Sequence, residues 1–251
     1  MKSGVFAFLA SLLALAMSFN ASAQDLADIP DAAALAEAKK LVQDAYGDLL
    51  AAKTDEEKAA AARILVRRAD DTDDIPAAKY MMYDTARTMA VEAGDTQAAM
   101  DAINGLMGSF KNESDGFLSV ASSALQALSR KARNETQYAA VAQAGMQVAD
   151  KLVAADRQDE AMELLTRLRN SAARSRRPEL NNAYKELINE LKTIREQTER
   201  IADDLKAIER NPNDPALNLS VGKYLVLYRG DWASGLKMLA KSSDEALAAA
   251  A

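Results

Sequence analysis

The chain of 251 residues contains neither cysteine nor histidine. Without cysteine there are no disulfides to brace a small core, and without either residue a Cys/His zinc site cannot be built. The missing imidazole also removes the side chain that titrates nearest neutral pH, so Ser-His-Asp and Cys-His nucleophilic centres are excluded. No residue set implies a cofactor or a metal. Aromatic residues make up 5%, with a single tryptophan. A glycosidase using carboxylates alone needs two acids about 5–10 Å apart; here the acids fall on solvent-facing helix positions, with few aromatics to stack a sugar. The 10 glycines and 5 prolines stand at spaced points rather than in hairpin pairs, and Val, Ile and Thr never alternate in runs, so strands are not expected. The formal charge is −6. Phosphate surfaces are bound by surplus Lys and Arg, so neither nucleic acid nor anionic lipid is an expected partner.

The one long hydrophobic run lies at residues 5–17, after Lys2 and before Ala21-Ser22-Ala23, a small-x-small cleavage pattern. It is shorter than the roughly 20 residues of a membrane span. Residues 1–23 therefore read as a secretory signal peptide. With no cysteine after the run, an N-terminal lipid anchor is excluded. The expectation is an exported protein, periplasmic or secreted, with no integral membrane segment after cleavage. Loss of Lys2 takes the charge to −7, because no other charged residue precedes Gln24.

What remains is rich in alanine and punctuated like a series of helices. Asp31 can cap a first helix. Thr54 with Glu57 forms a capping box. Pro76 suits a first turn, and Gly94 a helix stop. Asp95 can cap the next helix, and Asn134 with Gln137 repeats the capping-box spacing. A loop or frayed end is expected over 110–116, and a helix end or restart at Asp156. Arg174, Arg176 and Arg177 make a basic corner before Pro178. After the stop at Asn211-Pro212-Asn213-Asp214-Pro215, two short helices split at Gly230-Asp231.

Three places share one layout: a helix rich in small residues, a short acidic turn, then an Ala- and Leu-rich helix. They centre on Gly94-Asp95, Asp156-Arg157 and Gly230-Asp231. In the last, Pro212, Val221, Gly222, Leu225, Gly230, Asp231, Trp232 and Leu239 approach a tetratricopeptide spacing. Gly235 stands where a small Ala is usual, and the turn is one residue longer. Small residues on facing helices allow close backbone approach, and such pairs bury their apolar faces by stacking. The fold class is all-α: an antiparallel helical-hairpin array of α-solenoid type, with a generic antiparallel bundle as the alternative. The expected domains are 24–177, a repeat-like region; 178–210, a long heptad helix; and 211–251, a C-terminal pair. The heptad seam is Leu180, Tyr184, Leu187, Leu191, Ile194, Ile201, Leu205 and Ile208, with a polar interruption at Thr198. It must be buried against another helix, either folded back on its own chain, which the short connections favour, or in a homodimer.

Several motif matches fail on their context. From Asp71, a calcium loop would place Pro76 where Gly is required and Met82 where Glu is required. Ser220-x-x-Lys223 and Ser234-x-x-Lys237 lack the companion motifs of penicillin-binding enzymes. Gly222-Lys223 lacks the first glycine of a phosphate loop. Asn112, Asn134 and Asn218 head Asn-x-Ser/Thr triplets. The candidate partner-binding residues are Trp232, as an exposed anchor or, more in keeping with the spacing, a packing residue, and Arg174, Arg176 and Arg177, as a dock for an acidic group or a solvated helix end.

The stretch Asn211-Pro212-Asn213-Asp214-Pro215-Ala216-x-Asn218-Leu219-x-Val221-Gly222-x-Tyr224-Leu225, then Gly230-Asp231-Trp232 and Leu239-Ala240-Lys241-x-Ser243-Asp244, resembles a helical module of exported planctomycete proteins. Segments 29–47, 90–95 and 154–165 share the likeness, which spans nearly all of 29–247. In that family the module is often followed by concanavalin-like or formylglycine-generating-enzyme-like domains. The resemblance implies a presenting or regulatory scaffold with no active site of its own. This chain stops at Ala251, close to where the family continues. The expected function is a non-enzymatic scaffold for a protein partner. The alternatives are a self-associating envelope protein and a truncated regulatory module of an enzyme.

Overall fold

The structure, a computed structural model, describes residues 26–111 and 116–251; the signal-peptide segment and Asn112 lie outside the described residues. The described residues are helical almost throughout: α1 (Ala32–Leu50), α2 (Asp55–Asp70), α3 (Pro76–Ala93), α4 (Thr96–Ser109), α5 (Gly116–Lys131), α6 (Glu135–Ala154), α7 (Gln158–Arg174), α8 (Pro178–Arg200), α9 (Ala202–Arg210), α10 (Pro215–Tyr224), α11 (Trp232–Leu239) and α12 (Glu245–Ala250), with a π-helical segment at Leu225–Arg229. No described helix is long and apolar enough to cross a membrane. The only β-type contact among the described residues is one isolated bridge between Ala27 and Phe110.

Local chemistry sets the helix starts. Asp31 accepts from the Ala34 amide, and Thr54 and Glu57 form the reciprocal capping box. Asn134 accepts from the Gln137 amide, while the Gln137 side chain reaches back to the Arg133 amide rather than to the cap residue. Each such bond satisfies one of the free N–H groups of a first helical turn.

The three acidic turns close in related ways. At the first two, the Asp95 amide donates to the Ala90 carbonyl and the Arg157 amide to the Leu152 carbonyl, five residues back. This is the bond of a Schellman stop. The third is longer: the Asp231 amide donates to the Leu225 carbonyl, six residues back. The extra residue seen in the sequence is absorbed by the π-helical segment, ahead of the turn. Gly94 and Gly230 take the left-handed conformation at φ 75° and 67°. The middle turn puts Asp156 there, at φ 62°, without glycine's steric freedom.

From α2 to α8, successive helices pack side by side and reverse at each turn. The largest buried cluster runs from Val42 to Leu191. Within it Tyr184 is fully buried on α8 and donates from its hydroxyl to the Ala142 carbonyl at 2.8 Å; burial pushes its phenol well above the usual range. It fits because Gly145 is bare: a Cβ there would meet the Tyr184 hydroxyl at 2.5 Å and Leu168 Cδ1 at 2.6 Å. The C-terminal pair uses the same device on both sides. A Cβ on Gly222 would lie 3.2 Å from the Gly235 carbonyl, and one on Gly235 would lie 3.1 Å from the Gly222 carbonyl. A Cβ on Gly235 would also lie 2.5 Å from Val226 Cγ2, so a methyl group there needs the packing around it to shift.

The heptad segment is not one helix to residue 210. Ile201, at φ −107° and ψ 12°, separates α8 from α9. The bend has a packing cause. α8 has 23 residues against 17 in α7, so its last turns outrun the helix that covers its start. Leu180, Tyr184, Leu187 and Leu191 belong to the main core. Ile194, Ile201 and Leu205 are half-buried and Ile208 is buried, and α9 packs on α10. The polar interruption has a partner: Thr198 Oγ1 lies 2.5 Å from the Tyr224 hydroxyl and donates to the Ile194 carbonyl.

Phe110, which follows the last residue of α4 in extended conformation, is fully buried in an edge-on contact with Tyr80, 5.2 Å between ring centroids. One further sequence expectation is corrected. The chain after Gly230-Asp231 holds a second helix, α12, capped by Asp244.

Candidate interaction surfaces

The alternation of α2–α8 sorts the turns into two sets, one at each end of the bundle. One end carries the α3–α4, α5–α6 and α7–α8 turns. The Lys131 ammonium donates to the Glu92 carbonyl there, and Arg176 pairs with Glu135 at 3.0 Å, drawing the turns together. The other end carries the α2–α3, α4–α5 and α6–α7 turns. Tyr80 touches Phe110 and Phe117, and Arg157 donates to Ser119 Oγ at 2.7 Å.

The C-terminal helices dock on this second end. Arg229, the last residue of the π-helical segment, pairs with Asp156 in the α6–α7 turn. The Gln158 amide and the Arg229 guanidinium hold the Asp156 carboxyl below the usual carboxylate range. Trp232 opens α11 three residues beyond Arg229 and is 58% exposed. Of its two expected roles, packing is the one its exposure does not fit: the indole starts α11 in solvent. Leu227 is 56% exposed, and Val153 is exposed at the end of α6, beside Asp156. Leu26 and Ile29, which flank the Ala27 bridge to Phe110, and Ile75, which precedes α3, are exposed at the same end. Of the large apolar side chains exposed among the described residues, Leu41 on α1 alone lies elsewhere. Asp28, Asp71, Asp73, Asp74 and Asp156 are exposed in the same segments of chain.

Arg174, Arg176 and Arg177 lie at the far end of α7, whose 17 residues separate the two sets by about 25 Å at 1.5 Å per residue. Trp232 and the arginines are therefore two surfaces. Arg174 is held by Tyr138, its Cζ 5.4 Å from the ring centroid and Nη1 donating to the hydroxyl at 2.9 Å. Arg176 is in the left-handed region at φ 52°. The sequence showed these arginines as one cluster; it did not show that Arg130, Lys131 and Arg133 stand beside them. Ser129 and Ser171, 2.8 Å apart through their hydroxyls, fix that neighbourhood.

Other motif residues are structurally engaged. Ser220 donates to Asp204 at 2.5 Å rather than to Lys223. Asn218 is buried and donates to the Pro212 and Asp214 carbonyls, closing the 211–214 turn, which removes it from any modifying enzyme. Among the described residues no group of three acids is placed to hold a metal ion. No protein-family model, curated protein or solved structure matches the chain.

Proposed function

We propose that this protein is a non-enzymatic, extracytoplasmic helical-repeat scaffold, with tetratricopeptide-like pairs at the three acidic turns, that holds a protein partner against the end bearing Trp232. The observation that carries the reading is that the large apolar side chains exposed among the described residues, Leu41 apart, lie at that end, among them a tryptophan more than half exposed. Apolar surface gathered in one place is the usual mark of an interaction site, and tryptophan is among the commonest interface anchors. The heptad seam supports this reading over self-association, because its residues are buried or half-buried against their own chain.

The test is cross-linking capture from the envelope fraction of the source cell, comparing the wild-type chain with Trp232→Ala and Leu227→Ser. Loss of a hot-spot tryptophan worth ~2 kcal/mol weakens a binary complex about 30-fold, so the partner should disappear from the variant's capture. A partner retained at the wild-type level by both variants refutes the assignment.

A further inference from the structure

We infer that the opposite end of the bundle is a second docking surface, taking an acidic protein segment. Six exposed cations meet there at two adjacent turns: Arg130 and Lys131 at the end of α5 with Arg133 just past it, and Arg174 at the end of α7 with Arg176 and Arg177 just past it. The carboxylates of these turns are Glu135, already on Arg176, Glu179 in the first turn of α8, Glu92, already on Lys58 at 2.7 Å, and Asp95, already on Arg63 at 2.6 Å. A surplus of positive charge is thus concentrated at one end of a chain whose formal charge is −6.

Neutralising helix C-termini explains part of the cluster, since Lys131 caps the end of α3. It leaves Arg133 and Arg177, which lie in the turns beyond the last helical residues. Nor does it explain Arg176. Its left-handed backbone costs an L-residue other than glycine on the order of 1 kcal/mol, in a protein that uses Gly94 and Gly230 at the equivalent helix stops. Its guanidinium is 81% exposed on one surface ion pair, which contributes little to stability. Arg174, held on Tyr138, keeps the rest of its planar fork free. Such forks match carboxylates bidentately. A short acidic peptide fits better than a nucleic acid, because a long polyanion would run past the patch onto the acidic remainder of the molecule.

The test uses the full chain and a fluorescein-labelled octaglutamate peptide, read by fluorescence anisotropy. Wild type should bind saturably, and more weakly as salt rises from about 50 to about 150 mM. Arg176→Gly, which suits the φ of 52°, should bind several-fold more weakly while unfolding at a higher temperature. The combined Arg174→Gln, Arg176→Gly, Arg177→Gln variant should lose about tenfold or more. Trp232→Ala should bind as wild type does, which keeps this inference separate from the proposal for the other end. Equal binding by wild type and the combined variant overturns it. So does an equal loss in Trp232→Ala, or tighter binding of an eight-nucleotide single strand than of the peptide.

Discussion

The two ends of the bundle are built from the same parts and finished in opposite ways. Each gathers three interhelical turns from α2–α8, and each holds one residue other than glycine with positive φ: Asp156 at one end, Arg176 at the other. At the first end the strained residue meets Arg229 of the docked C-terminal helices, and exposed apolar side chains surround it. At the second the strained residue points a cation into solvent among five others. The difference shows how an antiparallel array separates surface chemistry. Turns alternate between ends, so residues placed at every second turn accumulate on one face, however far apart they lie in sequence.

The largest expected effect abolishes the distinction by loosening the helices that join the two ends. Gly145→Val puts a branched side chain where even a methyl group would sit 2.5 Å from the Tyr184 hydroxyl. Overpacking of this kind costs about 2–3 kcal/mol, measured by urea denaturation, and should perturb both surfaces together. An intermediate change acts on one end alone. Thr198→Val removes the partner of the Tyr224 hydroxyl, at a cost of about 1–2 kcal/mol for an interrupted, partly buried hydrogen bond. Hydrogen exchange should quicken in 202–251 and stay unchanged in α2–α7. Uniform quickening would show that the C-terminal helices and the main core open as one unit.

The smallest effect comes from pH. Asp156 has a depressed folded pKa, so its contribution is present above the ordinary carboxylate range and fades as pH falls through the folded value. The group is 70% exposed, so the loss is under ~1 kcal/mol and salt screens it. Trp232 is the only tryptophan in the chain, which makes its emission a reporter for that end. Acidification below about pH 4 should shift it in wild type and not in Asp156→Asn. An identical shift in both would place the titrating group elsewhere.

Helix starts were legible because capping is local. Asp31, Thr54, Asp95 and Asn134 act within three residues of their own positions. The small residues at the third pair were legible too, since spacing alone put Gly235 opposite a partner helix. The break at Ile201 was not, because Thr198 interrupts the seam three residues earlier while Ile201 itself keeps the apolar heptad position. The place of Trp232 at the turn was legible, but the spacing left both an exposed and a packing role open, and only the tertiary structure shows the indole 58% exposed.

The sequence by itself determined the helices, their stops and the absence of imidazole and thiol chemistry, because propensity, capping and composition act locally or on the whole chain. Tertiary structure alone decided which turns share an end. It set Arg130 and Arg133 beside Arg174 and Arg176, and it brought Arg229 to Asp156 across 73 residues of chain. Those neighbourhoods follow from helix lengths and close backbone approach, which no local pattern encodes.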